Sequence, residues 1–148
     1  MCRQSPDDRA YLELWRREDF HVDDEPHDGG IYRIEIPARW NGELMLSAHG
    51  YVTNGGPGGS RLRVGTPGIR EHLIQEGFAW AASSYRCNGY VPGAGLQDTM
   101  ALTDLFTRFN NGVAPQRVYL TGTSMGGHVT LLGMHEYPTR FAGALAMC

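Results

Sequence analysis

A five-residue turn between two differently patterned segments constrains the fold of this chain more than any other feature. It is the pentapeptide Gly122-Thr123-Ser124-Met125-Gly126. The apolar run before it, Val118-Tyr119-Leu120, is typical of a strand, and the stretch from 125 to about 136 has helical spacing. A strand that turns sharply into a helix lifts a serine hydroxyl above the sheet, and the flanking glycines keep neighbouring backbone clear of it. Ser124 is therefore a candidate nucleophile.

Strand and helix patterns alternate along the rest of the chain. Strand patterns cover residues 32–36, 44–48, 78–82, 117–121 and 141–147. Helical patterns cover residues 69–76, 98–110 and 125–136, with Gly77 and Asp98 as candidate helix caps. The alternation predicts the α/β class, a mostly parallel sheet with helices on both faces, and the first two strands are expected to form a hairpin through the Asn41-Gly42 turn. His49 and Ser124 fall at the carboxyl edge of this sheet, where functional groups gather.

The charge is distributed unevenly between two parts of the chain. Residues 1–30 hold nine acidic residues and four arginines, and we interpret them as an acidic N-terminal arm; residues 31–148 hold seven acidic residues and nine arginines. Neither part has the basic surface of a nucleic-acid-binding protein. All 13 basic residues are arginine, which excludes a P-loop lysine, a Schiff-base lysine and a Ser-Lys dyad.

Neither a metal nor a cofactor is expected from the residue spacing. Cys2, Cys87 and Cys148 lack C-x-x-C spacing, so we expect ordinary thiols rather than a disulfide framework or a metal knuckle. Residues 21–28 contain metal-ligating residue types, but Pro26 and the clustered acids are more typical of a solvated surface. No apolar run reaches the length of a membrane span, and residues 1–20 lack a signal-peptide core. A cytoplasmic location is expected, with a trimmed secreted form left open.

Four segments together resemble a known family, the α/β-hydrolases. They are Trp40-Asn41-Gly42, Ala48-His49-Gly50-Tyr51, Gly77-Phe78-Ala79-Trp80-Ala81 with Ser83-Ser84-Tyr85, and Gly122-Thr123-Ser124-Met125-Gly126-Gly127-His128. Residues 31–148 resemble the N-terminal part of an α/β-hydrolase domain, nearest to the serine esterase and prolyl-oligopeptidase-like branches. The resemblance covers only the N-terminal half of that fold.

The resemblance implies a serine hydrolase that acts on a carboxylic ester through an acyl-enzyme on Ser124. In the family, backbone N–H groups stabilise the oxyanion; here these are the N–H of Met125 and, from the loop after the earlier strand, the N–H of Tyr51. Tyr51 has two other possible roles, through its phenol or in packing. His49 is expected to support the oxyanion loop, with a role as a base as the alternative. The expected partner is a small-molecule ester or acyl substrate.

The chain does not contain a complete triad in the family's order, which is Ser, then Asp or Glu, then His. Glu136 is the only acidic residue after Ser124, and no histidine follows it. His135 would lie about 16 Å along the helix from Ser124. His128 is closer, but it is on the same helix, so a packing or polar role is favoured over a catalytic one. We therefore expect the acid and histidine outside this chain, and little esterase activity from residues 1–148 alone.

Two alternatives to the ester hydrolase remain at this point. The same fold supports a serine peptidase or amidase, because the elbow and the oxyanion donors serve both reactions. The chain could instead be a truncated, non-catalytic domain that binds acyl-like ligands. The strand at residues 141–147 would then leave an open sheet edge, which a second chain or the missing C-terminal half could cover.

Overall fold

The computed structural model of the chain describes residues 20–23, 26–27, 30–54 and 61–148. Side chains of residues 20–29 are not among those described. The side chains of the candidate metal-ligating stretch at residues 21–28, and the whole of the glycine-rich segment at residues 55–59, therefore lie outside the described part of the chain.

Within the described residues, seven strands form one mixed sheet. The strands are β1 (Phe20–Asp23), β2 (Pro26–His27), β3 (Gly30–Pro37), β4 (Glu43–Ala48), β5 (Ala79–Ser83), β6 (Arg117–Thr123) and β7 (Gly143–Met147). The helices are α1 (Arg70–Gln75), α2 (Pro92–Phe109) and α3 (Met125–Glu136). The sheet order is β1-β3-β5-β4-β6-β7, with β2 paired to β3 outside this path. The four consecutive strands β5, β4, β6 and β7 are parallel, which confirms the predicted mostly parallel α/β sheet.

The predicted hairpin between the first two strands of the domain is wrong. β3 pairs antiparallel with β5, with Ile34 opposite Ala81, and β4 lies on the far side of β5. Leu44 and Leu46 share one face of β4 and are fully buried, and Met45 on the other face packs against a second apolar cluster, so this strand needs cover on both faces and neighbours on both edges. A central place between β5 and β6 provides those neighbours, which a hairpin at the side of the sheet would not.

Helices cover both faces of the sheet, as predicted. α2 and α3 pack on one face against a core that contains Leu46, Phe106 and Val129. On the other face lies a smaller cluster of Leu73, Trp80 and Ala82 beside α1. These two clusters hold the sheet from both sides.

A buried carboxylate anchors α1 to the sheet. Glu35 on β3 accepts hydrogen bonds from Arg70 Nε at 2.6 Å, Arg70 Nη2 at 2.9 Å and the indole nitrogen of Trp80 at 2.5 Å. The bond to Glu35 also raises the pKa of the Arg70 guanidinium. Three donors satisfy the charge that burial would otherwise penalise.

α2 begins six residues earlier than predicted, so the assignment of Asp98 as its cap is wrong. The helix starts at Pro92, which suits a first helical position because its missing N–H needs no partner there. Asp98 lies within the helix and is buried, where it accepts hydrogen bonds from the backbone N–H of Arg86 at 2.7 Å and from the Arg86 guanidinium. By contrast, α3 has the predicted bounds, and Gly77 has the predicted positive φ of 81° after α1.

Residues from the predicted N-terminal arm join the sheet. β1 pairs antiparallel with β3, with Phe20 opposite Pro37. The expectation of ordinary thiols is wrong at Cys87, which is disulfide-bonded, whereas Cys148 is a free, exposed thiol. None of the described helices is long and apolar enough to cross a membrane.

Candidate active site

Ser124 lies at the sharp turn that joins β6 to α3, at the carboxyl edge of the parallel strands. Its backbone has φ 58° and ψ −123°, a conformation that costs a non-glycine residue on the order of 1–3 kcal/mol. The Ser124 N–H donates to the carbonyl of Met147 at 2.9 Å, so β7 holds the turn in place. The side chain is exposed. The serine at the predicted strand-to-helix turn is therefore strained and accessible.

Three glycines allow this turn to pack directly against neighbouring backbone. A Cβ on Gly122 would lie 2.2 Å from the Gly126 carbonyl oxygen, and a Cβ on Gly126 would lie 2.0 Å from that of Ala48. A Cβ on Gly127 would lie 2.4 Å from the carbonyl oxygen of Met147. Real Cβ atoms do not approach this closely, so each position requires glycine. The turn is thereby fixed against the ends of both β4 and β7.

The loop that follows β4 passes beside the serine. A Cβ built on Gly50 would lie 3.4 Å from Ser124 Cβ and 3.8 Å from its Oγ. Two residues later, Val52 forms an antiparallel bridge with Gly89, whose N–H donates to the Val52 carbonyl at 2.8 Å. Tyr51 lies between these two anchored positions, and its side chain is 56% exposed. The topology thus brings the predicted oxyanion loop and the predicted nucleophile together.

His49 is held by contacts on its ring and on its backbone. Its Nδ1 donates to the Gly50 carbonyl at 2.6 Å, and its ring stacks on that of Tyr85 with centroids 3.9 Å apart. The Tyr85 hydroxyl donates to the His49 carbonyl at 3.1 Å, and burial raises the pKa of that phenol. His49 Nε2 is buried with no hydrogen-bond partner among the described residues. These contacts fit support of the loop better than proton transfer at Ser124.

Met125 begins α3 directly after the serine. Because it is the first helical residue, its N–H has no acceptor within the helix. Its side chain is buried, and its sulfur accepts the Val91 N–H at 3.2 Å, which ties the loop after β5 to the start of the helix. The N-terminus of a helix also carries partial positive charge. Met125 is therefore in the position that the predicted donor requires.

The other histidines near the turn are not bonded to the nucleophile. His128 is exposed on α3, and its Nδ1 is 2.8 Å from the hydroxyl of Tyr90, which is itself 62% exposed. His135 is exposed near the far end of the same helix. Among the described residues, no hydrogen bond joins the Ser124 hydroxyl to a histidine or to Glu136. The described residues thus place no histidine or carboxylate in hydrogen-bond contact with the Ser124 hydroxyl.

Two tyrosines of the site had no predicted role. Tyr85 and Tyr90 follow β5 in a loop at the same edge of the sheet as Ser124. The signal that could have identified them is their place, since side chains just after a parallel strand gather at its carboxyl edge. No described group of three or more His, Cys, Asp or Glu side chains could hold a metal ion.

Comparisons with known proteins agree with this architecture. No family model matches the chain. The chain is 28% identical over 123 residues to the o-phthalyl amidase of Xanthobacter agilis, a match that covers 81% of this chain and 25% of the amidase. The chain therefore spans about a quarter of the length of this relative.

Solved structures that resemble the chain include peptidases and esterases. The acylaminoacyl peptidase of Pyrococcus horikoshii superposes with a TM-score of 0.62 at 13% identity, over 85% of this chain and 22% of the peptidase. An esterase of Pyrococcus furiosus superposes with a TM-score of 0.60 at 18% identity, over 93% of this chain and 56% of the esterase. The resemblance predicted from the sequence is confirmed: the chain has the fold of the α/β-hydrolases, to which these neighbours belong.

Proposed function

We propose that the protein is a serine hydrolase that cleaves a carboxylic ester through an acyl-enzyme on Ser124. One observation carries the proposal: Ser124 is an exposed serine with φ 58° at a strand-to-helix turn, and the loop after β4 packs against it at Gly50. A non-glycine residue keeps such a backbone conformation only where its surroundings enforce it. The three close-packed glycines of the turn supply that enforcement.

The proposed reaction has two steps. Ser124 Oγ attacks the ester carbonyl carbon as its proton passes to a base, and the alcohol leaves with a proton when the C–O bond breaks. Water then attacks the acyl-enzyme, releases the acid and restores the serine. The backbone N–H groups of Tyr51 and Met125 would stabilise the negative charge on the carbonyl oxygen in both steps, with His49 supporting the loop that carries Tyr51.

The acid and histidine of the triad belong, in this proposal, to a part of the full-length protein outside this chain. The support is that the described histidines are occupied or distant: His49 is bonded to Gly50, and His128 is bonded to Tyr90. A serine without a base is a weak nucleophile. Residues 1–148 by themselves should consequently have little activity.

Amide hydrolysis is the second candidate, and the specific observation that favours it is the similarity to an amidase. The same nucleophile and oxyanion donors serve both reactions, because both develop negative charge on a carbonyl oxygen. They differ in the leaving group, since an amine is more basic than an alcohol or a phenol and depends more strongly on protonation as it departs. A phenyl ester and an anilide of the same acid, assayed on the full-length protein, distinguish the two substrates.

Covalent labelling of the full-length protein tests the nucleophile. A fluorophosphonate should label the wild-type protein and the Thr123→Ala variant, whereas Ser124→Ala should remain unlabelled and lose up to about 10⁶ in turnover. Thr123 is a suitable control because it places an exposed hydroxyl directly beside the serine. Equal labelling of Ser124→Ala would refute the assignment, and a wild type that binds substrate without turnover would favour a binding module.

A phosphonate-bound structure tests the oxyanion donors. Its phosphoryl oxygen should lie about 2.7–3.1 Å from the backbone nitrogens of both Tyr51 and Met125. Donors from other residues would contradict this part of the proposal while leaving the nucleophile unaffected.

A further inference from the structure

The peptide unit between Gly50 and Tyr51 links the Gly50 carbonyl, which has a described hydrogen bond, to the Tyr51 N–H of the proposed oxyanion site. The described chain contains no cis peptide bond. In a trans peptide the C=O and N–H groups point in opposite directions. Whatever fixes the direction of the Gly50 carbonyl therefore also fixes the direction of the Tyr51 N–H, the group proposed to bind the oxyanion.

His49 fixes the Gly50 carbonyl. A carbonyl oxygen only accepts hydrogen bonds, so the 2.6 Å contact requires the proton on His49 Nδ1. In the neutral ring, Nε2 is then a lone pair, and the buried atom without a partner is an acceptor rather than an unpaired N–H donor. The contact thus sets both the tautomer of the ring and the orientation of the next peptide plane.

Tyr85 fixes His49 through two separate contacts. Its ring stacks on the imidazole at 3.9 Å with an interplanar angle of 22°, and its hydroxyl donates to the His49 carbonyl at 3.1 Å. One contact restrains the side chain and the other restrains the backbone. Together they leave the imidazole little freedom to turn away from Gly50.

Tyr85 is itself rigidly held. It is 0% exposed, and its N–H donates to Ser83 Oγ at 3.0 Å. Its ring also lies against α2, where a Cβ on Gly95 would come within 3.0 Å of it. The φ of 59° at Tyr85 is a second left-handed backbone at this edge of the sheet, and such conformations cluster at functional sites.

We propose that Tyr85 is a positioning residue of the hydrolase: through His49 and the Gly50 carbonyl, it directs the Tyr51 N–H toward the oxyanion. This inference rests on the proposed function. Tyr85 touches neither the substrate nor the nucleophile in this account. Its removal should weaken transition-state stabilisation while substrate binding stays the same, so kcat should fall with KM unchanged.

The test uses the full-length protein and the Tyr85→Phe variant, which keeps the stacked ring and removes the hydroxyl. We expect kcat to fall about tenfold, the scale of one hydrogen bond, with KM within about twofold of wild type. The largest fall in kcat that this role allows is the loss of an entire oxyanion donor, about 10²–10³ in rate. The affinity for a trifluoromethyl ketone, which forms an oxyanion on Ser124, should fall by the same factor as kcat.

Tyr119→Phe is the matched control. Tyr119 lies on β6, five residues before Ser124. It is partly buried, and its ring packs against that of Phe78. The kcat and the ketone affinity of the Tyr119→Phe variant should stay within about twofold of wild type, the scale expected for a substitution away from the site. An active wild type whose Tyr85→Phe variant keeps full kcat and ketone affinity would overturn this inference alone. A wild type with no turnover and no fluorophosphonate labelling would overturn the proposed function, and this inference with it.

A measurement on the wild-type protein covers the case in which Tyr85→Phe fails to fold. Nitrogen-15 NMR of the histidines, with His49 assigned by its nuclear Overhauser contacts to the Tyr85 ring, reports which ring nitrogen carries the proton. The inference requires the proton on Nδ1. A ring protonated on Nε2 alone would leave the Gly50 carbonyl unrestrained and overturn the inference.

Discussion

Replacing Gly126 by alanine should move Ser124 away from the loop at Gly50, and so disrupt the proposed active site. The new methyl group would lie 2.0 Å from the Ala48 carbonyl oxygen and within 2.9 Å of the carbonyl oxygen of His49. Both contacts are to backbone atoms, which cannot rotate away as a side chain can. The turn and the end of β4 must therefore move apart.

The size of this movement follows from the contact distance. Reaching 3.0 Å, below which real Cβ atoms are essentially never found, requires a shift of about 1 Å between Gly126 and Ala48. A misplacement of this size at a catalytic site can cost about 10²-fold in rate. Overpacking of the same kind costs about 1–3 kcal/mol of stability. We expect kcat to fall at least about 100-fold, with moderate destabilisation.

The assay is ester hydrolysis by the full-length protein, together with urea unfolding of each variant. Gly68→Ala is the control, because a Cβ at Gly68 has no heavy atom within 4 Å and the residue has an ordinary backbone conformation. That variant should keep the activity and stability of wild type. A Gly126→Ala protein with wild-type kcat would refute the argument that this close approach sets the geometry of the site.

Two further predictions concern residues around the site and the sheet. His128→Ala should keep kcat within about threefold of wild type, since His128 is bonded to Tyr90 rather than to the nucleophile; a loss of 100-fold or more would make it the base. Glu35→Gln should lower the free energy of unfolding by about 1–3 kcal/mol, because it weakens the hydrogen bonds from Arg70 and Trp80 to a buried carboxylate. Glu71→Gln, an exposed change on α1 next to Arg70, should have little effect in the same urea titration, and equal destabilisation by the two changes would contradict this argument.

The sequence pattern predicts the bounds of a helix correctly where local signals determine them. The bounds of α3 follow from its apolar spacing and from Pro138 beyond its end. The start of α2 was missed because Gly93 and Gly95 are typical of a loop. Glycine occurs at position 95 of the helix because the Tyr85 ring leaves no room there for a larger side chain. That contact is not visible in a local window of sequence.

Strand pairing and the supporting contacts of the site were less accessible to prediction. The Asn41-Gly42 turn favours a hairpin locally, but burial of Leu44 and Leu46 decides in favour of a central position for β4. Ser124 and the loop at Gly50 were brought together correctly, because both follow parallel strands and such ends meet at one edge. The stack of Tyr85 on His49 joins residues 36 apart and has no local pattern.

The place of β5 between β3 and β4 has a consequence for synthesis of the chain. β4 follows β3 in the chain, yet the two are not neighbours in the sheet, and the strand that lies between them, β5, is synthesised later. At about 5–20 residues per second, the interval between completion of β4 at Ala48 and of β5 at Ser83 is about 2–7 s. Throughout that time the apolar Leu44 and Leu46 lack both strands that flank β4 in the sheet, β5 and β6. A pause in translation before residue 83 would lengthen this interval and, with it, the exposure of the apolar residues of β4.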